Sequence, residues 1–217
     1  MRQPLNIWER QNGIMAKRLV AGFKSRWRRQ IIGRAYETAR EVAAVIPQEG
    51  KVLDVGCGHG FVAYHLTAMR RANVVGLDLA SRVDAPINYM SYDGTRIPAN
   101  DGSFDTVLLC YVLHHTQDIS VVLNEVRRVL REDGIVVVYE DIPQTWWDRI
   151  PLWAHNRKWE KRTGPCTFRD ENEWRTVFES YGFEIVEKNP LSRWGFLFHP
   201  VSHMQYVLRY RGNNPDN

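Results

Sequence analysis

The sequence predicts an α/β fold in which a mostly parallel sheet is covered by helices on both faces. Short apolar runs alternate with helical segments between residues 51 and 140, as in sheets whose strands are buried on both sides. The first run passes directly into three alternate glycines, Gly56, Gly58 and Gly60. Because glycine lacks a Cβ and tolerates positive φ, such a turn lets a ligand approach the backbone closely.

The amino-terminal part of the chain predicts two helices before the first strand. Apolar residues recur every four positions over residues 14–24 and every three or four positions over residues 26–46, which is the period of an amphipathic helix. Pro47 and Gly50 end the second helix. Residues 1–40 hold ten lysines or arginines against two glutamates, so this segment carries +8 and leaves −4 for the rest of a chain of net charge +4.

From the first strand to residue 140, the predicted strands and helices alternate. The glycine turn should open a helix, and the second apolar run ends in the acid Asp78. Residues 135–139 are continuously apolar, as expected of a central strand. Strands are predicted near residues 51–55, 73–78, 87–91, 105–110 and 134–140, and helices near residues 60–70, 80–84 and 118–131.

This alternation stops after residue 140. Residues 141–169 hold four tryptophans and three prolines, and they are too long for an ordinary link between a strand and a helix, so they predict an inserted lid. A helix over residues 171–181 ends at Gly182, and the last two strands follow near residues 183–188 and 204–210. The predicted organisation is a basic helical cap over residues 1–47, a main domain over residues 48–211 and a tail over residues 212–217.

Length and composition limit the class of protein. A chain of 217 residues with 44% hydrophobic residues fits one domain with additions. It has no run of eighteen apolar residues and no amino-terminal secretion signal, so neither a membrane span nor export is expected. Cys57, Cys110 and Cys166 are odd in number and widely spaced, which predicts reduced thiols in a cytoplasmic protein and no metal site.

The glycine spacing separates two kinds of nucleotide ligand. The dinucleotide fingerprint is G-x-G-x-x-G, which places a pyrophosphate at the start of the following helix. Here the spacing is G-x-G-x-G and Asp54 precedes it. A carboxylate at that place repels a pyrophosphate and attracts an ammonium. Asp78, one strand later, can accept hydrogen bonds from ribose hydroxyls.

The glycine turn resembles motif I of the class I S-adenosylmethionine-dependent methyltransferases. The resemblance continues in the expected order over about residues 50–140, and residues 110–115 resemble the small-molecule, ubiquinone-biosynthesis-like "type 11" branch. The segments that carry it are DVGCGHG at residues 54–60, Asp78, YDG at 92–94, IPANDGSFD at 97–105, CYVLHH at 110–115 and the helix ending RRVLREDG at residue 134.

The resemblance implies a Rossmann-like three-layer sandwich. Its seven-stranded sheet should be mostly parallel with the last strand antiparallel, and the amino-terminal helices and the lid are additions. The implied cofactor is S-adenosyl-L-methionine. The residues expected to bind it are Asp54, Gly56, Cys57, Gly58, Gly60, Asp78, Leu79, Asp93, Gly94, Cys110, Tyr111 and His115.

Structural roles remain open for several of these residues. The glycines could pack a tight turn that binds no ligand. Asp78 could cap a helix beginning near Ser81, and Asp93 could form a turn before Gly94. Leu79 could pack either on an adenine or in the core.

His114, His115 and Glu140 are the candidate catalytic residues, because they follow the fourth and fifth strands, where the methyl acceptor is expected. Histidine can take a proton from an oxygen or nitrogen nucleophile near neutral pH, and Glu140 could bind an amine or deprotonate a hydroxyl. Alternatively, one histidine packs on the cofactor while the other caps the next helix, for which Thr116 and Asp118 also qualify. Glu140 could also be solvated at the end of its strand.

The expected reaction is transfer of a methyl group to a small, apolar or aromatic acceptor. The lid tryptophans could line the acceptor pocket or form a core. Nucleic acid is not expected as a partner, because residues 110–113 read CYVL where amino-directed nucleic-acid methyltransferases carry [D/N]-P-P-aromatic. Leu109 stands where a covalent mechanism through Cys110 would want proline.

Other readings of the chain remain open. Residues 1–40 could form a solvated face, cover the cofactor or bind an anionic membrane surface. The alternative functions are methylation of lipid or nucleic acid through this basic segment, NAD(P)-dependent oxidoreduction, and a non-catalytic partner protein that keeps the fold. The oligomeric state is left open.

Overall fold

The computed structural model describes residues 32–79, 83–191 and 201–212. The helix predicted over residues 14–24, the start of the helix over residues 26–46 and most of the helix over residues 80–84 lie outside these ranges. Five helices occur in the described part: α1 over residues 32–45, α2 at Phe61–Arg70, α3 at Ile119–Val129, α4 at Arg149–Thr163 and α5 at Glu171–Ser180.

Seven strands form one sheet, which confirms the predicted fold class. They are β1 Lys51–Val55, β2 Asn73–Asp78, β3 Asn88–Ser91, β4 Phe104–Cys110, β5 Leu130–Ile142, β6 Phe183–Leu191 and β7 Ser202–Tyr210. Their order is β3-β2-β1-β4-β5-β7-β6. β1 to β5 pair in parallel, whereas β7 pairs antiparallel with β5 and β6. The strand order reverses between β1 and β4, and in open α/β sheets a ligand binds at the carboxyl ends of such neighbouring strands.

Two buried clusters make the three layers. On one face, α1 and α2 cover the sheet through residues such as Val42 and Leu66. On the other face, α3 and α5 cover it through residues such as Leu123 and Trp174. Each apolar side chain buried in this way contributes about 1.5–3 kcal/mol relative to exposure, so the sheet is fixed from both sides.

β5 is longer than predicted at both ends. α3 ends at Val129 and Leu130 already pairs with Phe104, before a register shift that precedes Thr106 and Ile135. At the other end, β7 runs beside β5 as far as Ile142. β6 and β7 likewise pair beyond their predicted ends, at Leu191 and Ser202. A neighbouring strand supplies the hydrogen bonds in each case, and local sequence patterns do not record that partner.

The predicted lid contains a 3-10 turn, Trp146–Asp148, followed by α4. Asp148 Oδ2 accepts hydrogen bonds from the backbone N–H groups of Gln144 and Thr145, both at 2.8 Å. After α4, Thr167 N donates to His114 O at 2.8 Å, so the returning chain lies against the turn that follows β4. No helix in the described ranges is both long and apolar enough to cross a membrane.

Candidate active site

The glycine turn after β1 is bonded to the end of β2. Gly56 N and Cys57 N both donate to Leu77 O, at 2.7 and 3.1 Å. All three glycines lie in the left-handed region, with φ of 71° at Gly56, 54° at Gly58 and 80° at Gly60. The sequence prediction that this turn needs glycine therefore has a direct backbone cause.

The three glycines differ in what surrounds them. A Cβ on Gly56 would lie 2.5 Å from Val112 Cγ2, and one on Gly60 would lie 2.7 Å from Ile87 Cδ1. A Cβ on Gly58 would meet no described atom within 4 Å. Packing therefore requires two of the glycines, while Gly58 borders open space that can accept a ligand.

Asp78 ends β2 beside this open space. Its Oδ2 accepts a hydrogen bond from Gly58 N at 2.8 Å, so the acid and the glycine turn are bonded to each other. Leu79, the next residue, is 59% exposed. A Cβ on Gly94 would lie 3.1 Å from Leu79 Cδ2, which shows how closely the turn after β3 approaches it. An acid and an exposed apolar side chain thus stand side by side at the carboxyl end of β2.

Asp54 is buried beneath the glycine turn with only 1% of its surface exposed. Burial, and then the nearby charge of Asp78, raise the pKa of its carboxyl group to about 7. Among the described residues, Asp54 Oδ2 has no hydrogen-bond partner. A buried acceptor without a donor is costly, so this oxygen is suited to receive an ammonium from a ligand.

Asp93 forms a turn, which is one of the two roles that the sequence analysis left open for it. Its Oδ1 accepts from Thr95 N at 2.8 Å, from Thr95 Oγ1 at 2.6 Å and from Arg96 N at 3.3 Å. These bonds, the Thr95 hydroxyl first, lower the pKa of Asp93 to about 2. The turn places Gly94 against Leu79, and a contact of Asp93 with a nucleobase stays a prediction.

A strained residue follows β4. Tyr111 has a φ of 59°, which costs a bulky residue on the order of 1–3 kcal/mol. Its N–H donates to Tyr139 O at 2.9 Å, and its ring packs edge-on against His203 with centroids 5.5 Å apart. Burial raises the pKa values of Cys110 and Tyr111 well above the usual ones. These contacts hold the kink that carries the chain from β4 over the glycine turn, where Val112 meets Gly56.

The interpretation of Glu140 as a solvated strand end is wrong. His114 and Glu140 are both fully buried, and His114 Nδ1 lies 2.6 Å from Glu140 Oε2. Glu140 Oε1 accepts a hydrogen bond from Leu113 N at 2.8 Å. Burial is the consequence of β5 continuing to Ile142 with β7 alongside it. His114 and His115 lie in a 3-10 turn, and the helix cap of α3 is Asp118, whose Oδ1 accepts from Ser120 N at 2.9 Å.

The pKa values of both members of this buried pair are raised. Burial lowers the pKa of His114, but the charge and the hydrogen bond of Glu140 outweigh that effect, so the pKa of His114 is raised overall. Burial also raises the pKa of Glu140, and the charge of His114 offsets this only in part. His114 therefore keeps its affinity for a proton although water does not reach it.

A histidine from the lid, which no local pattern indicates, joins the two histidines of the 3-10 turn. His155 Nε2 lies 3.4 Å from His115 Nε2, and Cys166 Sγ lies 3.2 Å from His115 Nδ1. Burial, and then the charges of His114 and His155, lower the pKa of His115 to about 3. We call His114, His115 and His155 the histidine cluster. His115 and His155 are 40 residues apart in sequence, so only the folded chain brings them together.

Aromatic rings surround the histidine cluster. Phe168 stacks on His114 with centroids 5.0 Å apart, and Trp159 packs edge-on against His115 at 5.4 Å. The three other lid tryptophans, Trp146, Trp147 and Trp153, are 60–64% exposed. The alternative that the lid tryptophans form a core is therefore wrong for these three, while Trp159 does line the site.

A second buried histidine and carboxylate also went unpredicted. His203 Nδ1 lies 2.7 Å from Asp141 Oδ1, and the two residues face each other across β5 and β7. Neither residue carries a local sequence signal, because their partnership depends on the antiparallel register. His203 of this pair packs edge-on against the ring of Tyr111.

A surface cavity of about 720 Å³ lies elsewhere. It is lined by residues near the amino ends of β4 and β5, including Pro47, Asp105 and Arg131. Ligands of such sheets bind at the carboxyl ends of the strands, where the glycine turn and the histidine cluster lie. Chemistry rather than cavity size therefore locates the site.

The fold and the site together define a class I methyltransferase domain. The sequence matches the family described as "Methyltransferase domain" over residues 26–188, and the chain belongs to that family. The cofactor of this domain is therefore S-adenosylmethionine. The cofactor fits the described residues, since among them Asp54 Oδ2 is buried with no hydrogen-bond partner and a Cβ on Gly58 would meet no atom within 4 Å.

Named proteins similar to this chain are also methyltransferases. The chain is 30% identical to the sterol 24-C-methyltransferase erg6 of Aspergillus fumigatus over 65% of its own length and 42% of that protein. It is 29% identical to the ubiquinone/menaquinone biosynthesis C-methyltransferase UbiE of Desulfotalea psychrophila, over 60% of its own length and 53% of that protein. The chain therefore spans about half the length of these relatives.

A third relative is covered more fully. The chain is 27% identical to a ubiquinone biosynthesis O-methyltransferase of Cereibacter sphaeroides over 77% of its own length and 72% of that protein. A solved S-adenosylmethionine-dependent methyltransferase of Methanosarcina mazei superposes with a TM-score of 0.60 at 17% identity, covering 78% of this chain and 96% of that one. At that identity, the superposition supports the fold alone.

Proposed function

We propose that this protein transfers a methyl group from S-adenosylmethionine to a small, apolar or aromatic acceptor that carries a hydroxyl group. The observation that supports this most directly is the buried pair of His114 and Glu140, with Phe168 stacked on His114 and Trp159 packed against the adjacent His115. Aromatic walls favour an apolar acceptor. The names of the relatives point the same way, since they refer to sterol and to ubiquinone or menaquinone biosynthesis.

The cofactor side is assigned to four residues. Asp54 would accept the ammonium, Gly58 would admit the ligand to the backbone, Asp78 would accept the ribose hydroxyls and Leu79 would pack on the adenine. When bound, S-adenosylmethionine supplies a methyl carbon made electrophilic by its sulfonium. The protein has to orient the acceptor oxygen in line with that carbon, and orientation of this kind contributes about 7–11 kcal/mol in favourable cases.

His114 is the proposed general base. Its Nδ1 is held by Glu140, which orients the ring and leaves Nε2 to take a proton from the acceptor hydroxyl. The raised pKa of His114 makes it a better base than His115, whose pKa is about 3. His115 is therefore assigned to positioning, as a neutral ring between Trp159 and His155. A base of this kind contributes a factor on the order of 10²–10⁴ in rate.

Two measurements test the proposal. In isothermal titration, Asp78→Ala should bind S-adenosylhomocysteine at least tenfold more weakly than the wild type. Asp78→Asn is the matched control, because its amide oxygen can still accept from Gly58 N, so it should lose less. Tight binding of NADH together with indifference to millimolar S-adenosylhomocysteine would refute the assignment.

The second measurement concerns the acceptor. Purified protein incubated with S-adenosylmethionine and a panel of phenols, quinols and sterols should yield a methylated product by mass spectrometry. With any acceptor found, His114→Gln should lower kcat by on the order of 10²–10⁴ and leave the affinity for S-adenosylhomocysteine unchanged. An unaltered kcat would remove His114 as the base.

A membrane-borne lipid acceptor is the second candidate. It is favoured by the exposed rings of Trp146, Trp147 and Trp153 on the lid, with the Arg157 guanidinium 5.5 Å from the Trp153 ring. Tryptophan and arginine together suit the interface of an anionic bilayer. The basic residues 1–40 would add to the attraction. Co-sedimentation with phosphatidylglycerol vesicles, lost on Trp153→Ala or in high salt, would favour this candidate over a water-soluble acceptor.

A further inference from the structure

The histidine cluster has the spacing of a metal site. One ring nitrogen from each of His114, His115 and His155 lies within 4.8 Å of the others. Two of the nitrogens, His115 Nε2 and His155 Nε2, are 3.4 Å apart. Zinc–nitrogen bonds of about 2.0–2.1 Å in a tetrahedron place neighbouring nitrogens roughly 3.3 Å apart. The observed separation matches that of two ligands of one ion, and equally that of a long hydrogen bond between the two rings.

The rings are also oriented as ligands. His114 Nδ1 is bonded to Glu140, and His115 Nδ1 lies 3.2 Å from Cys166 Sγ. In metal sites, a ligating histidine usually donates its other ring N–H to a carboxylate or a similar acceptor, which fixes the nitrogen that faces the ion. Both rings therefore present Nε2.

One of these nitrogens lacks a partner in the described structure. His114 Nε2 is buried with no hydrogen-bond partner among the described residues, although the whole side chain is excluded from solvent. Leaving a buried ring nitrogen unsatisfied costs about 1–3 kcal/mol. Packing of aromatic rings does not remove that cost, whereas coordination of an ion does.

We propose that His114, His115 and His155 bind one divalent transition-metal ion of the zinc or cobalt type through their Nε2 atoms. Imidazole nitrogens suit zinc, copper, iron and nickel rather than magnesium or calcium. Three protein ligands leave a fourth position for a water. The ion would occupy the Nε2 lone pair of His114, so the metal-bound form lacks the general base proposed above, and methyl transfer through that base requires the metal-free form. Because His155 belongs to α4, the ion also ties the lid to the turn after β4. The cofactor turn takes no part in this site.

The test is a titration of tag-free, chelator-treated protein with Co²⁺, followed by visible absorption. One equivalent should bind with the intense spectrum of a tetrahedral site, and Zn²⁺ should displace it. His155→Phe keeps a packed ring and removes the nitrogen, so it should weaken Co²⁺ binding at least tenfold. His65→Phe is the matched control, since His65 lies outside the cluster on α2.

The outcomes separate this site from the proposed function. Saturation by one equivalent that is lost in His155→Phe and kept in His65→Phe supports the metal site. Absence of the spectrum at millimolar Co²⁺, or equal binding by both variants, overturns it. Titration with S-adenosylhomocysteine is run on the same samples, so that intact cofactor binding shows that His155→Phe is folded.

Discussion

His114 Nδ1 lies 2.6 Å from Glu140 Oε2, although the two residues are 26 positions apart in the chain. The parallel pairing of β4 with β5, which sets Cys110 beside Tyr139, brings them together. Glu140 also accepts a hydrogen bond from Leu113 N. One buried carboxylate therefore orients the histidine and holds the 3-10 turn in which it lies.

Removing this carboxylate should destabilise the protein. Glu140→Ala leaves His114 and Leu113 N without their partner, and breaking a buried pair costs about 3–5 kcal/mol. Glu140→Gln should cost less, because its amide oxygen can still accept from Leu113 N. Urea unfolding followed by circular dichroism measures both, with the exposed Glu132→Gln as the control. Equal losses for Ala and Gln would contradict the role given to Leu113 N.

Cofactor binding should tighten as the pH rises from 6 to 8. The pKa of the Asp54 carboxyl is raised to about 7, so below that pH the group is mostly neutral and attracts an ammonium weakly. For each pH unit below this pKa, the affinity for S-adenosylhomocysteine should fall by up to about tenfold. Asp54→Asn should bind weakly and with little pH dependence over this range. Isothermal titration at several pH values checks both results. If the affinity of Asp54→Asn changed with pH as steeply as that of the wild type, Asp54 would not be the group that binds the ammonium.

The same carboxyl should affect stability without cofactor in the opposite sense. A group whose pKa is raised on folding stabilises the folded state most at pH values below its unfolded pKa, and that contribution is lost as pH rises through the folded pKa. For Asp54 the window runs from the ordinary value of 3.8 to about 7. The free energy of unfolding of the wild type should fall across this window relative to that of Asp54→Asn. A constant difference between the two proteins would contradict the assignment.

Three glycine variants should distinguish effects on stability from effects on cofactor binding. Gly56→Ala places a methyl group 2.5 Å from Val112 Cγ2 and should reduce stability. The methyl group of Gly58→Ala meets no described atom within 4 Å, so this variant should lose only about 1–2 kcal/mol of stability, for its left-handed backbone. Its affinity for S-adenosylhomocysteine should fall at least tenfold. Gly102→Ala is the control, with a similar φ of 58° and no described neighbour within 4 Å. If it weakened the ligand as much as Gly58→Ala does, the proposed location would be wrong.

The cysteines should react slowly with iodoacetamide. Burial is the first cause that raises the pKa of each thiol, to about 12 for Cys57, and the thiolate is the reactive form. At pH 8, modification of Cys57, Cys110 and Cys166 should therefore be slower than that of glutathione. S-adenosylhomocysteine should protect Cys57 further, because it adjoins Gly58. Mass spectrometry of peptides measures each site, and rapid labelling of Cys57 would contradict its raised pKa.

Sequence patterns predicted the elements that depend on neighbouring residues. β1, the glycine turn and α2 lie where they were predicted, because a short apolar run, three alternate glycines and helical periodicity act within about twenty residues. Predictions were weakest where a strand gained a distant partner. β5 extends to Ile142 because β7 pairs with it, and that pairing buries Glu140, which the sequence left open to solvent.

The sequence by itself determined the fold class, the strand that leads into the glycine turn and the acid at the end of β2, since each follows from local spacing and from the conformations that residue types allow. Only the tertiary structure decided which polar groups are buried together. His155 reaches His115 from the lid, and His203 meets Asp141 across an antiparallel register. Burial and partnership are properties of distant segments in contact, so no local pattern of residues encodes them in a readable form.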